Sequence, residues 1–118
     1  MSTPVAKGAQ FEEMAGRFLI HHNMQLIERN FRSHRGEIDL VMLDGDCLVF
    51  VEVRYRRYTR FGSAAESVTE NKQAKVILAA NHFLQSHKQW TGYACRFDVV
   101  AINGHGTIDW IKDAFQPV

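Results

Sequence analysis

The segment 36–54, GEIDLVMLDGDCLVFVEVR, is the feature that most constrains the fold of this chain. Two apolar runs flank the turn signal Asp44-Gly45-Asp46, a pattern typical of a buried β-hairpin. Charged residues nevertheless interrupt these apolar runs, namely Glu37, Asp39, Glu52 and Arg54. Because a buried charge is costly unless it is paired, protonated or bound to a cation, their presence needs a physical explanation.

Strand alternation predicts that the interrupting charges share one face of the hairpin. Alternate residues of a strand point to the same side of the sheet. Glu37, Asp39 and Val41 are therefore expected on one face, opposite a face made of Ile38, Leu40 and Met42. On the next strand, Glu52 and Arg54 are expected to share a face with Leu48 and Phe50.

Two registers of the hairpin are compatible with its turn. If Gly45-Asp46 is a two-residue turn, Asp39 faces Glu52 and Glu37 faces Arg54. If the turn is Asp44-Gly45, the register slips by two residues and the same side chains still share a face. Only a β-bulge or an odd-length loop would separate them.

Opposed carboxylates have two interpretations here. Two carboxylates facing each other across a sheet repel, and burial increases the cost, so a divalent cation between Asp39 and Glu52 would stabilise them. Oxygen ligands favour Mg²⁺ or Mn²⁺ over zinc. Alternatively, this face is exposed to solvent and carries a cross-strand ion pair between Glu37 and Arg54. The apolar residues on the same face favour at least partial burial.

The rest of the chain is predicted to add two helices and three strands. The predicted elements are helix 9–22, strand 25–33, hairpin strands 37–43 and 47–55, helix 70–87, strand 93–102 and strand 107–111. Asn23 is a left-handed stop for the first helix, and Thr69 is an N-cap for the second. The order α-β-β-β-α-β-β predicts an α/β fold with a mixed β-sheet flanked by helices.

Each predicted helix has an apolar stripe at helical spacing. The first stripe consists of Phe11, Met14, Ala15, Phe18 and Leu19. The second includes Ala74, Ile77, Leu78 and Leu84. With 118 residues, the chain is expected to form a single domain, 1–118.

Composition excludes several classes of protein. Hydrophobic residues make up 46% and charged residues 23% of the chain, as in ordinary globular proteins. No apolar run approaches the roughly 18 residues of a membrane span, and the first ten residues lack a secretory signal pattern. Cys47 and Cys95 fit no metal-binding spacing, which favours reduced thiols and a cytoplasmic location.

Basic residues are unevenly distributed, although the net charge is only +1. Half of the fourteen Lys and Arg residues lie between positions 29 and 60, and arginine suits phosphate. In "RYRRYTRF", arginines alternate with Tyr55, Tyr58 and Phe61, which favours stacking on bases. The candidate nucleic-acid contacts are Arg35, Arg56, Arg57, Arg60, Lys72 and Lys75. A solvated charged surface is the alternative for each of them.

Asp39, followed after twelve residues by Glu52-Val53-Arg54, resembles the PD-(D/E)XK signature of the restriction-endonuclease-like fold. The spacing is similar to that of archaeal Holliday-junction resolvases, and the chain resembles the bacterial YraN-like family of nuclease-like proteins. The resemblance extends over nearly the whole chain. It is carried by "FEEMAGRFL", "RNFRSHRGEIDLV", "LVFVEVRYR", "SVTENKQAK" and "CRFDVVAI".

The resemblance implies a catalytic site. Asp39 and Glu52 would be metal ligands for Mg²⁺ or Mn²⁺, and Glu12 on the first helix, beside Glu13, would complete the site. Arg54 occupies the position at which these nucleases carry a lysine that orients the attacking water. This is a departure, because a guanidinium does not deprotonate in proteins; Arg54 could still stabilise charge on a phosphate.

Three functions follow as hypotheses. The first is a Mg²⁺-dependent endonuclease acting on DNA, including branched or structured DNA, with a homodimer possible as in junction-cleaving relatives. The second is a non-catalytic nucleic-acid-binding protein on the same fold, which the arginine at position 54 keeps open. The third is an accessory protein that uses the fold for protein contacts, since fold alone does not establish activity.

Overall fold

The computed structural model describes residues 4–57 and 68–117 as two helices, five strands and one short 3-10 helix. In chain order the elements are α1 (Pro4–His21), β1 (Gln25–Ser33), β2 (Gly36–Asp44), β3 (Cys47–Arg56), α2 (Glu70–Ser86), the 3-10 helix (Lys88–Trp90), β4 (Ala94–Asn103) and β5 (Ile108–Phe115). Within these ranges, no helix has the length and apolarity needed to cross a bilayer.

The five strands form one mixed sheet in the order β1-β2-β3-β4-β5. Neighbouring strands are antiparallel except for β3 and β4, which are parallel and joined through α2. A parallel pair needs such a crossover, whereas the antiparallel pairs are joined by short turns. The predicted α/β arrangement, α-β-β-β-α-β-β, is confirmed.

Most predicted boundaries agree with the structure to within a residue or two, and the capping predictions are confirmed. Asn23 has φ 69°, the left-handed conformation expected after α1. The Thr69 hydroxyl accepts a hydrogen bond from the Lys72 backbone N–H at 3.2 Å. The exceptions are α1, which begins earlier than residue 9, at Pro4, and β5, which extends to Phe115 rather than ending at residue 111. Proline is well accommodated in a first helical turn.

Each face of the sheet is covered by one helix and has its own apolar core. The α1-side core contains Ala15, Leu19, Met24, Leu40, Met42, Val49, Val51, Val100 and Ile102. The α2-side core contains Ile38, Val41, Leu48, Phe50, Val68, Val76, Ala79, Ala80, Phe83, Phe97, Val99 and Phe115. The central strands β2 and β3 are therefore buried on both sides, which explains their long apolar runs.

The apolar stripe predicted for α2 is displaced around the helix. The buried residues of α2 are Val76, Ala79, Ala80 and Phe83. These residues also follow helical spacing, and the two alanines are small enough to let the helix lie close to the sheet. Leu78 is instead 39% exposed, and Ala74 is exposed. Ile77 and Leu84, which were also predicted, are partly buried and pack against the α2-side core, so the predicted stripe is confirmed in part.

The hairpin between β2 and β3 has the first of the two predicted registers. Asp44 pairs with Cys47 and Leu40 with Val51, so Gly45-Asp46 is the two-residue turn. Gly45 has φ 62°, a conformation that glycine adopts without steric cost.

The face alternation predicted along β2 is wrong at Asp39. Ile38 packs in the α2-side core, whereas Leu40 packs in the α1-side core. On the neighbouring strand β1, Asn30 has φ 52° and lies between the pairs Arg29–Leu40 and Phe31–Ile38. An asparagine tolerates this left-handed conformation, and the irregularity places Asp39 where the strand changes face.

Candidate active site

The candidate site lies where β2 and β3 separate. Backbone pairing between the two strands runs from Asp44–Cys47 to Leu40–Val51. Beyond that point, the Asp39 Oδ2 atom accepts a hydrogen bond from the Val53 backbone N–H at 2.8 Å. The Asp39 side chain thus takes the position of a strand partner, and its carboxylate lies next to Glu52.

Both carboxylates are buried. Asp39 is 8% and Glu52 is 3% exposed. Burial, with the neighbouring charge of Glu52, raises the pKa of Asp39 to about 8, while the Val53 N–H and the Lys72 charge oppose this rise. Burial likewise raises the pKa of Glu52, opposed by the charges of Lys72 and Arg54. The pair therefore favours a bound proton or a cation over two free negative charges.

One oxygen of this pair has no hydrogen-bond partner in the part of the chain that the structure describes. Within residues 4–57 and 68–117, the buried Glu52 Oε2 and Arg54 Nε atoms make no hydrogen bond. The other Glu52 oxygen, Oε1, lies 3.7 Å from the Lys72 Nζ atom. An unpartnered buried carboxylate oxygen is costly for a purely structural residue, and it is what a cation-binding site requires.

The remaining acidic residues surround this pair at greater distance. Glu12 is partly exposed on α1, and its charge contributes to raising the pKa of Asp39. Glu13 instead forms an exposed ion pair with Arg17 at 2.8 Å. Among the described residues, no three His, Cys, Asp or Glu side chains are grouped as a ready metal site. Glu12 is thus close enough to Asp39 for its charge to affect that carboxylate.

The alternative ion pair predicted between Glu37 and Arg54 is wrong. The Glu37 Oε2 atom contacts the Arg32 Nε atom at 3.7 Å, and both side chains are well exposed. The charge of Arg54 instead lowers the pKa of the buried Glu52. The hairpin is therefore covered at Asp39 and Glu52 and exposed at Glu37.

The predicted nucleic-acid contacts are distributed around the site. Lys72 reaches Glu52, and Lys75 is exposed on the next turn of α2. Arg35 is exposed in the β1–β2 turn, while Arg56 and Arg57 lie at the end of β3. A groove of about 310 Å³ is lined by Arg32, Ser33, Gly36, Glu37, Lys72 and Lys75, and Lys72 connects it to Glu52. Arg60, Tyr58 and Phe61 lie outside the described residues.

Sequence reasoning missed the contact between Lys72 and Glu52. It assigned Lys72 only to a possible contact with nucleic acid. The available signal was its position three residues after the N-cap Thr69, which places it in the first turn of a helix crossing from β3 to β4. The packing of that turn against the hairpin could not be read from the sequence.

The chain is similar in sequence to the members of one protein family. The family described as "Uncharacterised protein family UPF0102" matches residues 11–102. A UPF0102 protein of Stutzerimonas stutzeri (strain A1501) is 50% identical over 119 residues, covering 98% of this chain and 99% of the relative. A UPF0102 protein of Pseudomonas savastanoi pv. phaseolicola is 51% identical over 113 residues, covering 92% of each. The matched range contains every residue of the candidate site.

Proposed function

Since the chain belongs to the UPF0102 family, we propose that it is a metal-dependent endonuclease of the PD-(D/E)XK type, cleaving phosphodiester bonds in branched or structured DNA. One observation carries the proposal. Two buried carboxylates, Asp39 and Glu52, meet at the fork between β2 and β3 with one oxygen unpartnered. The mixed sheet with a helix on each face is also the arrangement expected of a restriction-endonuclease-like fold.

The chemistry of the site fits a hard divalent cation. Asp39 and Glu52 offer oxygen ligands only, and Glu52 Oε2 has no other partner in the described part of the chain. These two residues would hold Mg²⁺ or Mn²⁺, with water and phosphate oxygens completing the coordination. A divalent ion held by these two residues would neutralise charge on the phosphate and make a water molecule more acidic.

The protein side chains supply position and charge. Asp39 is held by the Val53 N–H, so the carboxylate is fixed before substrate binds. The Arg54 guanidinium is assigned to the scissile phosphate, on which negative charge accumulates in the transition state. The exposed Arg35 and Lys75 are assigned to the DNA backbone, where phosphate contacts set orientation rather than sequence preference.

The test is a cleavage assay on single-stranded, duplex and four-way-junction DNA with Mg²⁺ or Mn²⁺. Asp39→Ala and Glu52→Ala are each expected to lower cleavage at least about 100-fold, as for removal of a group that stabilises transition-state charge. Glu13→Ala is the matched control, because Glu13 is an exposed acid paired with Arg17. Cleavage that survives both site substitutions would overturn the assignment.

A second candidate function is supported by Arg54, whose Nε atom is buried without a hydrogen bond in the described ranges. A site in which this cation serves only to hold phosphate would bind DNA without cleaving it. Such a protein would show DNA affinity that falls steeply with salt, and no product at any metal concentration. Product formation by the purified wild-type protein, abolished by Asp39→Ala, excludes this candidate.

A further inference from the structure

We propose that Lys72, from the first turn of α2, is the positioning residue that supplies the ammonium missing from strand β3. The inference rests on the proposed nuclease function and names how its site is completed. Where the nuclease signature has a lysine two residues after the glutamate, this chain has Arg54. The structure places another lysine against the same glutamate from a different element.

The contact between Lys72 and Glu52 is the first observation. The Lys72 Nζ atom lies 3.7 Å from Glu52 Oε1, and the Lys72 side chain is 30% exposed, compared with 4% for Glu52. The ammonium thus lies between the buried carboxylate and the groove that opens beside it. Lys72, and not Arg54, makes the cation–carboxylate contact within the described residues.

Both ends of Lys72 are held in place. Its backbone N–H donates to the Thr69 hydroxyl at the start of α2, and its side chain ends at Glu52. A lysine fixed at its backbone and at its ammonium loses less entropy on meeting a substrate than a free surface lysine does. This distinguishes Lys72 from Lys75, which is exposed one turn further along the helix.

Gly36 fixes the distance between α2 and the hairpin. A Cβ atom added to Gly36 would lie 2.5 Å from the Lys75 carbonyl oxygen, a separation that requires backbone movement. Only glycine therefore allows β2 to approach the first turns of α2 this closely. The approach holds the first turns of α2 against the start of β2, three residues before Asp39.

An ammonium at this place has spare donors. Lysine carries three N–H donors on a compact charge. One of them directed at Glu52 Oε1 orients the carboxylate so that Oε2 stays available. The other two remain for a water molecule or a phosphate oxygen in the groove, which is the role of the lysine that β3 lacks.

The experiment compares Lys72→Met, Lys72→Arg, Lys75→Met and Arg54→Lys with the wild type, and adds the double variant Arg54→Lys/Lys72→Met. Lys72→Met is expected to lower kcat about 100-fold with little change in the KM for DNA, since it removes an interaction made in the transition state. Lys75→Met, at a residue assigned to the DNA backbone, is expected to raise KM a few-fold. The matched control is Lys88→Met, at an exposed lysine of the 3-10 helix, which is expected to leave both kcat and KM unchanged. Lys72→Arg is expected to recover part of the loss.

The double variant tests most directly whether a lysine on β3 can replace Lys72. Arg54→Lys restores a lysine on β3, so cleavage by Arg54→Lys/Lys72→Met is expected to exceed that of Lys72→Met at least tenfold. Mn²⁺ affinity, measured by electron paramagnetic resonance, is expected to be equal to or tighter than wild type in Lys72→Met, because a neighbouring positive charge is gone. Thermal unfolding verifies that each variant folds.

The outcomes separate this inference from the proposed function. Wild-type cleavage that Lys72→Met leaves intact, or a double variant no better than Lys72→Met, overturns the role of Lys72 alone. A wild-type protein that is inactive while Arg54→Lys cleaves also overturns it, because Lys72 then fails to replace the missing lysine. Inactivity of both proteins overturns the proposed function and this inference together.

Discussion

Two buried acidic regions lie on the same sheet and differ in how their oxygens are satisfied. Asp98 on β4 is fully buried, yet both of its oxygens are bonded. Its donors are Arg96 Nε at 3.0 Å, Arg96 Nη2 at 3.2 Å, Trp110 Nε1 at 3.0 Å and the Asp113 backbone N–H at 2.9 Å. Arg96 is also paired with Asp44 at 2.8 Å.

Asp39 and Glu52 are nearly as buried but much less satisfied. Asp39 accepts one backbone N–H at 2.8 Å, and Glu52 has one ammonium at 3.7 Å. The comparison separates two uses of a buried acid. A carboxylate that stabilises the fold has its acceptors filled by the protein, whereas a carboxylate that binds a ligand leaves them open.

The largest expected change in the free energy of unfolding is at Asp98, whose oxygens are all bonded. Asp98→Ala should lower the free energy of unfolding by about 3–5 kcal/mol, because it leaves the Trp110 N–H and the Asp113 N–H without their acceptor and Arg96 with Asp44 as its remaining acidic partner. Urea unfolding measures this, with Asp109→Ala as the control because Asp109 is an exposed aspartate on β5. A loss below about 1 kcal/mol for Asp98→Ala would remove the distinction between the two regions.

A substitution at Asp39 is expected to raise the free energy of unfolding, whereas Asp98→Ala lowers it. The pKa of Asp39 is raised to about 8, so from about pH 4 the unfolded chain ionises at this residue while the folded protein keeps the proton. This contribution to stability is present below pH 4 and is lost as the pH rises towards 8. Asp39→Asn cannot ionise and its amide oxygen can still accept the Val53 N–H. At pH 8 without metal it should be more stable than the wild type, by at most the roughly 5 kcal/mol that a rise of the pKa from about 4 to about 8 represents.

Urea unfolding at pH 5 and pH 8, in the presence of a chelator, tests this prediction. The difference in stability between Asp39→Asn and wild type should grow as the pH rises. Equal pH dependence of the two proteins would show that Asp39 ionises in the folded state as readily as in the unfolded chain.

A smaller effect is expected where α2 approaches the candidate site. Gly36→Ala should lower the free energy of unfolding by about 1–2 kcal/mol, because the added Cβ meets the Lys75 carbonyl and the helix must shift. Gly8→Ala is the control, since its Cβ would meet no atom within 4 Å and alanine is the better helix former. Cleavage should fall in Gly36→Ala and stay unchanged in Gly8→Ala at temperatures where both are folded. Unchanged cleavage by folded Gly36→Ala would show that the position of α2 does not matter to the site.

Local signals made most of the fold predictable. The Gly45-Asp46 turn, the Asn23 helix stop and the Thr69 N-cap each depend on neighbouring residues only, and the structure agrees with all three. The ion pair between Arg96 and Asp98 follows from an equally local rule, because residues two apart on a strand share a face.

The features that the sequence did not predict depend on packing between distant segments. The change of face between Ile38 and Leu40 accompanies the left-handed conformation of Asn30 on the neighbouring strand, which no local pattern marks. The contact of Lys72 with Glu52 requires the close approach of α2 to Gly36. Charges at alternating positions indicate that a site exists, but only tertiary packing determines which residues complete it.

The parallel pairing of β3 with β4 has a consequence for the order of folding. The hairpin of β2 and β3 closes across a two-residue turn, so Asp39 and Glu52 meet through local contacts that form quickly. The partner strand β4 arrives only after the chain has passed through α2, and such long-range pairing is slow because of the entropy of loop closure. Lys72 lies in α2, the connection between β3 and β4. We therefore expect Asp39 and Glu52 to meet in the hairpin before α2 brings the charge of Lys72 to them.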